Sequence, residues 1–194
     1  MMTWRRILLL VVLASCSVES PKPVSREPRV VFDGQSYSGW ILTGGERSFM
    51  IEAGVLAVGD EPGVLTLREE LEDFELQCEV RSDAGSSAGI AVRAPRDGTT
   101  GSAPVIALAD QLVGAMGKDA AGSIRGFAPA TSAAMDATGT WNKLVIHVQG
   151  AKVRVTLNGT RVAEAEVPMP TRGHLAIVGS GEFFWLRDLR IQTL

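Results

Sequence analysis

The stretch Asp73-Phe74-Glu75-Leu76-Gln77-Cys78-Glu79-Val80-Arg81-Ser82 alternates apolar and polar side chains at every step. A period of two is that of a strand with one buried and one wetted face, so Phe74, Leu76, Cys78 and Val80 face a core and Glu75, Gln77, Glu79 and Arg81 face water. Cys78 falls on the apolar side and is expected to be a core thiol rather than a nucleophile. A second signal lies downstream. Residues Asn142 to Gln149, Lys152 to Leu157 and Thr160 to Glu166 read as three strands of a meander, joined by turns at Gly150-Ala151 and Asn158-Gly159. Asn-Gly supplies the two positive φ angles of a type I′ hairpin.

Working outward, shorter apolar runs punctuated by glycine recur from Val30 onward, and no window sustains a helical period. Strands are expected near Ser87 to Ala94, Val105 to Ala109 and Gly122 to Phe127. A last strand over about Glu182 to Gln192 should pair with an early one near Val30, tying down both ends of the domain. Many short strands separated by turn residues make an all-β sandwich or barrel. The chain has 194 residues, with 21 glycines and 21% charged residues, the size and composition of one packed domain.

The first residues read differently. Arg5 and Arg6 precede the apolar run Ile7 to Ala14, too short to cross a bilayer core that needs about 20 residues and suited to a secretory signal. The run ends in Leu13-Ala14-Ser15-Cys16, similar to a bacterial lipobox, in which the Cys thiol is lipidated and the leader removed. Residues 17 to 28 are polar and proline-rich and form an extended spacer. The expected organisation is a signal peptide over 1–15, a lipidated Cys16 and spacer over 16–28, and a folded domain over 29–194. The location is then the bacterial cell envelope, with the membrane touched only through the N-terminal lipid.

Removing the two leader arginines from nineteen basic residues leaves seventeen against twenty-two acidic ones, and the net charge moves from −3 to −5. An acidic chain without a basic cluster does not suit a phosphate backbone, so no nucleic-acid partner is expected. Cys16 and Cys78 are the two cysteines, and no Cys/His spacing suits zinc; no metal is expected and no cofactor is identified.

Several segments resemble, in order, the 3-keto-disaccharide hydrolase domain family. They are Val31-Phe32-Asp33-Gly34 through Gly39-Trp40, Phe49 to Leu56, Asp73 to Leu76, Ser87 to Arg93, Gly122-Ser123-Ile124 with Pro129, Gly139 to Asn142, Leu157-Asn158-Gly159 and Leu186 to Leu189. The resemblance implies a concanavalin A-like jelly roll of two antiparallel sheets, and a glycan or small saccharide as partner. Some members cleave the glycosidic bond of 3-keto sugars. A ketone at C3 acidifies the C2 proton, so a base, an electrophile at the carbonyl oxygen and an acid at the leaving group would eliminate the aglycone.

The polar pattern implied by the resemblance is incomplete. Its E-x-Q-x-x-D strand places Val105 and Ala107 at the Glu and Gln, leaving Asp110, followed by Gln111; its L-Q-x-H-G stretch becomes Ile177-Val178-Gly179-Ser180-Gly181; and its N-S-G becomes Ser87-Ala88-Gly89. The remaining catalytic candidates are Asp110 and His174. Arg93, Gln111, Arg125, Glu182 and Arg187 are candidates for substrate binding. Arg93 could equally be a sandwich-edge arginine paired with an acid, and Arg187 a structural partner of a carboxylate. His147 sits on a wet strand face with no assigned role, and Trp40 and Trp141 suit either sugar stacking or the core. Two readings stay open: a glycosidic-bond-cleaving enzyme using Asp110, Arg93 and His174, or a non-catalytic saccharide-binding or envelope-scaffolding module.

Overall fold

The computed structural model describes residues 27–109, 116–180 and 183–194. The described residues form thirteen strands: β1 (Arg29–Val30), β2 (Trp40–Gly44), β3 (Phe49–Glu52), β4 (Val55–Val58), β5 (Pro62–Leu67), β6 (Phe74–Ser82), β7 (Ser87–Ala94), β8 (Val105–Ala109), β9 (Asn142–Gln149), β10 (Lys152–Leu157), β11 (Thr160–Glu166), β12 (His174–Ser180) and β13 (Phe184–Thr193). The larger sheet runs β11-β10-β9-β6-β13-β4-β3, with β1 also paired to β13, and the smaller runs β2-β5-β12-β7-β8. All pairings are antiparallel. This is the expected jelly-roll sandwich.

The period-two strand lies at the centre of the larger sheet. Burial along β6 alternates at each residue, and Leu76, Val80, Leu144, Ile146, Leu186 and Ile191 from β6, β9 and β13 are essentially sealed from solvent. The second sheet supplies Leu65, Ile90, Ile106, Leu175 and Ile177 to the same core. Trp40 is buried at one end, its indole Nε1 donating to Val31 O at 2.8 Å. That bond answers the alternative left open for this residue in favour of the core. The meander forms as its turns demand. Asn158 and Gly159 take φ of 48° and 81°, and the Asn158 side chain accepts from Lys143 N at 2.8 Å and donates to Ala134 O at 2.9 Å. The two ends close as expected, Arg29 pairing with Ile191 and Val30 with Arg190.

The expected strand over Gly122 to Phe127 does not form. Gly122 N donates to Ala107 O at 2.8 Å and Arg125 N to Val105 O at 2.9 Å, so the segment starts along the free edge of β8. Ile124 and Ala128 then bond each other in both directions, and Gly126 adopts a positive φ of 77°. A tight turn replaces the strand because the glycine lets the backbone reverse before pairing can extend.

Cys78 is 2% exposed, and burial, reinforced by the neighbouring Glu79 charge, pushes its thiol up to about 12. The thiolate is the reactive form, so at pH 8 the folded protein holds almost none of it. In a Cys16→Ser background, iodoacetamide should leave the native protein unmodified over hours and label Cys78 within minutes once denaturant is added. Rapid native labelling would contradict the burial.

Candidate functional site

Because Leu65, Ile90, Ile106 and Ile177 point into the core, their neighbours on the smaller sheet point out. Strand register arranges those neighbours in rows. One row is Ile41, Thr66, Ala176, Ala91 and Val105; the next is Thr43, Val64, Val178, Gly89 and Ala107. Val105, Ala107 and Val178, three of the positions where a Glu or Gln was expected on the family pattern, therefore share one face in adjoining rows, and Ser180 pairs with Pro62 in the row beyond. The substitutions form one spatial patch of small apolar residues.

Part of that face is covered by the chain itself. Ala91 and Ala176 are fully buried and Thr66 is 1% exposed, although all three point away from the sandwich core. The segment 95–104 lies over them. A Cβ on Gly98 would come within 2.7 Å of Val64 Cγ1 and 2.8 Å of Thr66 Oγ1, and Gly98 has a φ of +74°, so glycine alone permits this approach. Ala94 and Ala103 complete a small apolar cluster with Ala91, Val105 and Ala176.

Arg125 lies across the next part of that face, where Gly89 and Ala107 are likewise buried. Its Nη1 lies 3.7 Å from where a Cβ on Gly89 would sit. It also lines an open cleft of about 530 Å³ with Lys118, Asp119, Phe127 and Pro129, in which the Phe127 ring is 45% exposed. Backbone bonds from Gly122 and Arg125 to β8 hold this wall in place. Phe127 was missed by the sequence reading because nothing in a period-two pattern marks an exposed ring on a turn.

His174 and Arg93 share a second cleft, of about 220 Å³, with Glu70, Arg96, Ser102 and Arg172. The two clefts have no lining residue in common. His174 is 4% exposed, and its Nδ1 lies 2.9 Å from Leu67 O and 3.1 Å from Glu69 O. Both partners are carbonyls, so Nδ1 carries a hydrogen. Nε2 faces Glu70 Oε1 at 3.8 Å.

Arg93 is the sandwich-edge arginine of the two alternatives, and its expected role in substrate binding does not fit the geometry. The residue is 3% exposed. Nε and Nη2 donate to Glu72 O, Nη1 to Gly150 O at 2.7 Å and Pro170 O at 3.0 Å, and Nη2 to Asp73 Oδ1 at 2.7 Å. All five guanidinium donors are satisfied within the protein, leaving none for a ligand. Arg187 is on the outer face of the opposite sheet, bonded to Glu79 Oε2 at 2.6 Å and stacked 4.0 Å over Trp141. It belongs to neither cleft, and the structural alternative describes it. His147 contacts Glu75 Oε2 at 3.3 Å on that same outer face. Asp110, Gln111, Glu182 and Cys16 lie outside the described residues, as does the leader. Among the described residues no group of three or more His, Cys, Asp or Glu is placed to hold a metal ion.

The model of the 3-keto-alpha-glucoside-1,2-lyase-like domain matches residues 27–192. Two glycosyl hydrolase-like proteins of known structure from Parabacteroides distasonis superpose on the chain. One has 19% identity over 87% of this chain and 100% of its own, with a TM-score of 0.71; the other has 16% identity over 86% and 94%, with a TM-score of 0.75. A carbohydrate-binding module from Bacillus subtilis matches at 12% identity over 80% and 96%, with a TM-score of 0.63. At these identities the likeness is one of fold. No curated protein matches the chain.

Removing the Arg93 guanidinium would take a donor from three carbonyls, those of Glu72, Gly150 and Pro170, and leave Asp73 with the Gly150 N–H alone among these bonds. Arg93→Ala should destabilise the domain by about 2–3 kcal/mol in urea unfolding, since hydrogen bonds to a charged group contribute about 1.5–3 kcal/mol and the Asp73 left behind is partly open to water. Arg93→Lys should recover only part, since an ammonium cannot span these acceptors. A loss below about 1 kcal/mol would mean that the network is not holding the two sheets together.

Proposed function

The chain belongs to the 3-keto-alpha-glucoside-1,2-lyase-like family, and from that premise we propose that it is a saccharide-binding member without lyase or hydrolase activity, carried on the bacterial cell envelope by a lipidated Cys16. The observation that carries this reading is the outer face of the smaller sheet. Its rows of Thr66, Ala176, Ala91 and Val105, and of Val64, Val178, Gly89 and Ala107, hold no titratable side chain. Elimination next to a 3-keto group needs a base for the C2 proton and an acid for the departing oxygen, and each such group contributes about 10²–10⁴ in rate. Arg93, the electrophile expected beside them, is fully engaged. The fold resemblance to a carbohydrate-binding module supports binding as the retained property.

One observation favours a second reading, in which the chain cleaves 3-keto glycosides through His174. The carbonyls of Leu67 and Glu69 hold its Nδ1 hydrogen, and Nε2 faces Glu70 in a polar cleft that Arg96 also lines. A ring anchored through Nδ1–H has Nε2 as the nitrogen through which a proton could be exchanged.

Incubation of the purified protein with 3-keto glucosides, with and without divalent cations, should release no aglycone. Product that disappears in His174→Ala or Asp110→Ala, with an unchanged melting temperature, would replace the binding reading with the enzymatic one. Palmitate labelling of expressing cells should mark the wild-type protein and not Cys16→Ser; an unlabelled wild type would remove the lipid anchor.

A further inference from the structure

Resting on the saccharide-binding reading, we propose that the ligand is a sugar bearing an oxyanion, a carboxylate or a sulfate ester, and that Arg125 is the side chain that recognises it. The argument starts from the charge balance. Acidic residues outnumber basic ones in this domain, and most of its arginines find a carboxylate: Arg29, Arg47, Arg154, Arg172 and Arg187 are each in an ion pair, and Arg93 is enclosed. Arg125 is an exposed residue and its side chain makes no hydrogen bond or ion pair with any described residue, although its Nη1 lies close to Gly89.

The surroundings suit one class of ligand. A neutral sugar is recognised through its hydroxyls, which both donate and accept, and sites for it need acceptors as well as donors. Of the three charged side chains on the described wall, two are cationic donors. Arg125 offers a planar fork that fits two coplanar oxygens, Lys118 lies in the same cleft, and Asp119 already sits 3.8 Å from Lys118 Nζ. Phe127 adds an open aromatic ring for the apolar face of a pyranose. The cleft of about 530 Å³ is of ligand-binding size. Gly89 lets the guanidinium lie close to the sheet: a Cβ there would meet Val105 Cγ1 at 2.7 Å and stand 3.7 Å from Arg125 Nη1.

The test is calorimetric titration of the purified protein with two matched pairs of oligosaccharides, one uronate-terminated with its carboxyl-reduced counterpart, and one sulfated with its desulfated counterpart. At least one charged member should bind ten-fold or more tightly than its neutral partner, with an advantage that shrinks as salt rises. Whichever pair shows it identifies the oxyanion. Arg125→Gln should bring the charged member down to the level of the neutral one, Arg125→Lys should retain part of the preference, and Phe127→Ala should weaken both members by a similar factor. Equal binding of charged and neutral members, or a preference that survives Arg125→Gln, would overturn the assignment of the oxyanion while leaving saccharide binding intact. No binding of any of the four would overturn both readings. Arg125 is exposed and its side chain bonds to no described residue, so an unchanged melting temperature should accompany the loss of preference.

Discussion

The Arg93 guanidinium is the fastening on which one end of the sandwich depends. It extends from β7 in the smaller sheet to Glu72 and Asp73 at the start of β6, to Gly150 in the β9–β10 turn and to Pro170 in the β11–β12 connection. Three of those positions border strands of the larger sheet. To aim there, Arg93 takes a φ of 52°, a left-handed conformation that costs a non-glycine residue about 1–2 kcal/mol. Five hydrogen bonds offset that cost. The pairing of β7 with β12 shifts between His174 and Ala176, because three steps on β7 oppose two on β12. A bulge at this place re-aims a side chain, as bulges commonly do.

The neighbouring backbone is shaped by the same arrangement. A Cβ on Gly173 would fall 2.6 Å from Arg93 C, so the chain entering β12 must carry glycine there. His174 follows and is carried into the carbonyls of Leu67 and Glu69, while Arg172 pairs with Glu72 on the outside. The His174 cleft is thus built around the Arg93 anchor. Arg93 and His174 are adjacent because one bulge positions both.

The two outer faces of the sandwich have diverged. The larger sheet presents charged and aromatic groups in a ladder, with Arg81 lying 4.4 Å over Trp185 and 5.1 Å over Trp141, and Arg187 over the latter. Those guanidinia cover indole faces that a sugar ring could otherwise stack on, which makes Trp141 part of the surface packing. The smaller sheet presents almost no polarity until its margin, where the Gly122 to Pro129 turn brings Arg125 and Phe127. Segment 95–104 then fills the space over Thr66, Ala91 and Ala176.

Strand periodicity was enough to establish the all-β architecture, the core side of Cys78, the 142–166 meander and the pairing of the two ends, because each depends on side-chain alternation or on the φ angles a turn residue accepts. The strand over Gly122 to Phe127 failed on the same ground: alternation is weak there and Gly126 lets the chain reverse. Position along the chain also placed Val105, Ala107 and Val178 where polar groups were absent. Register alone made them one patch, since Val178 and the pair Val105 and Ala107, 71 to 73 positions apart, become neighbours only through the β7 to β8 and β7 to β12 pairings. The same is true of Arg93, whose four partners lie between 20 and 77 residues away, and of Arg125, whose nearness to Gly89 belongs to a turn folded onto a sheet edge. Whether an arginine is a fastening or an open hand for a ligand depends on how many acceptors the fold brings to its five donors, and that is decided in three dimensions.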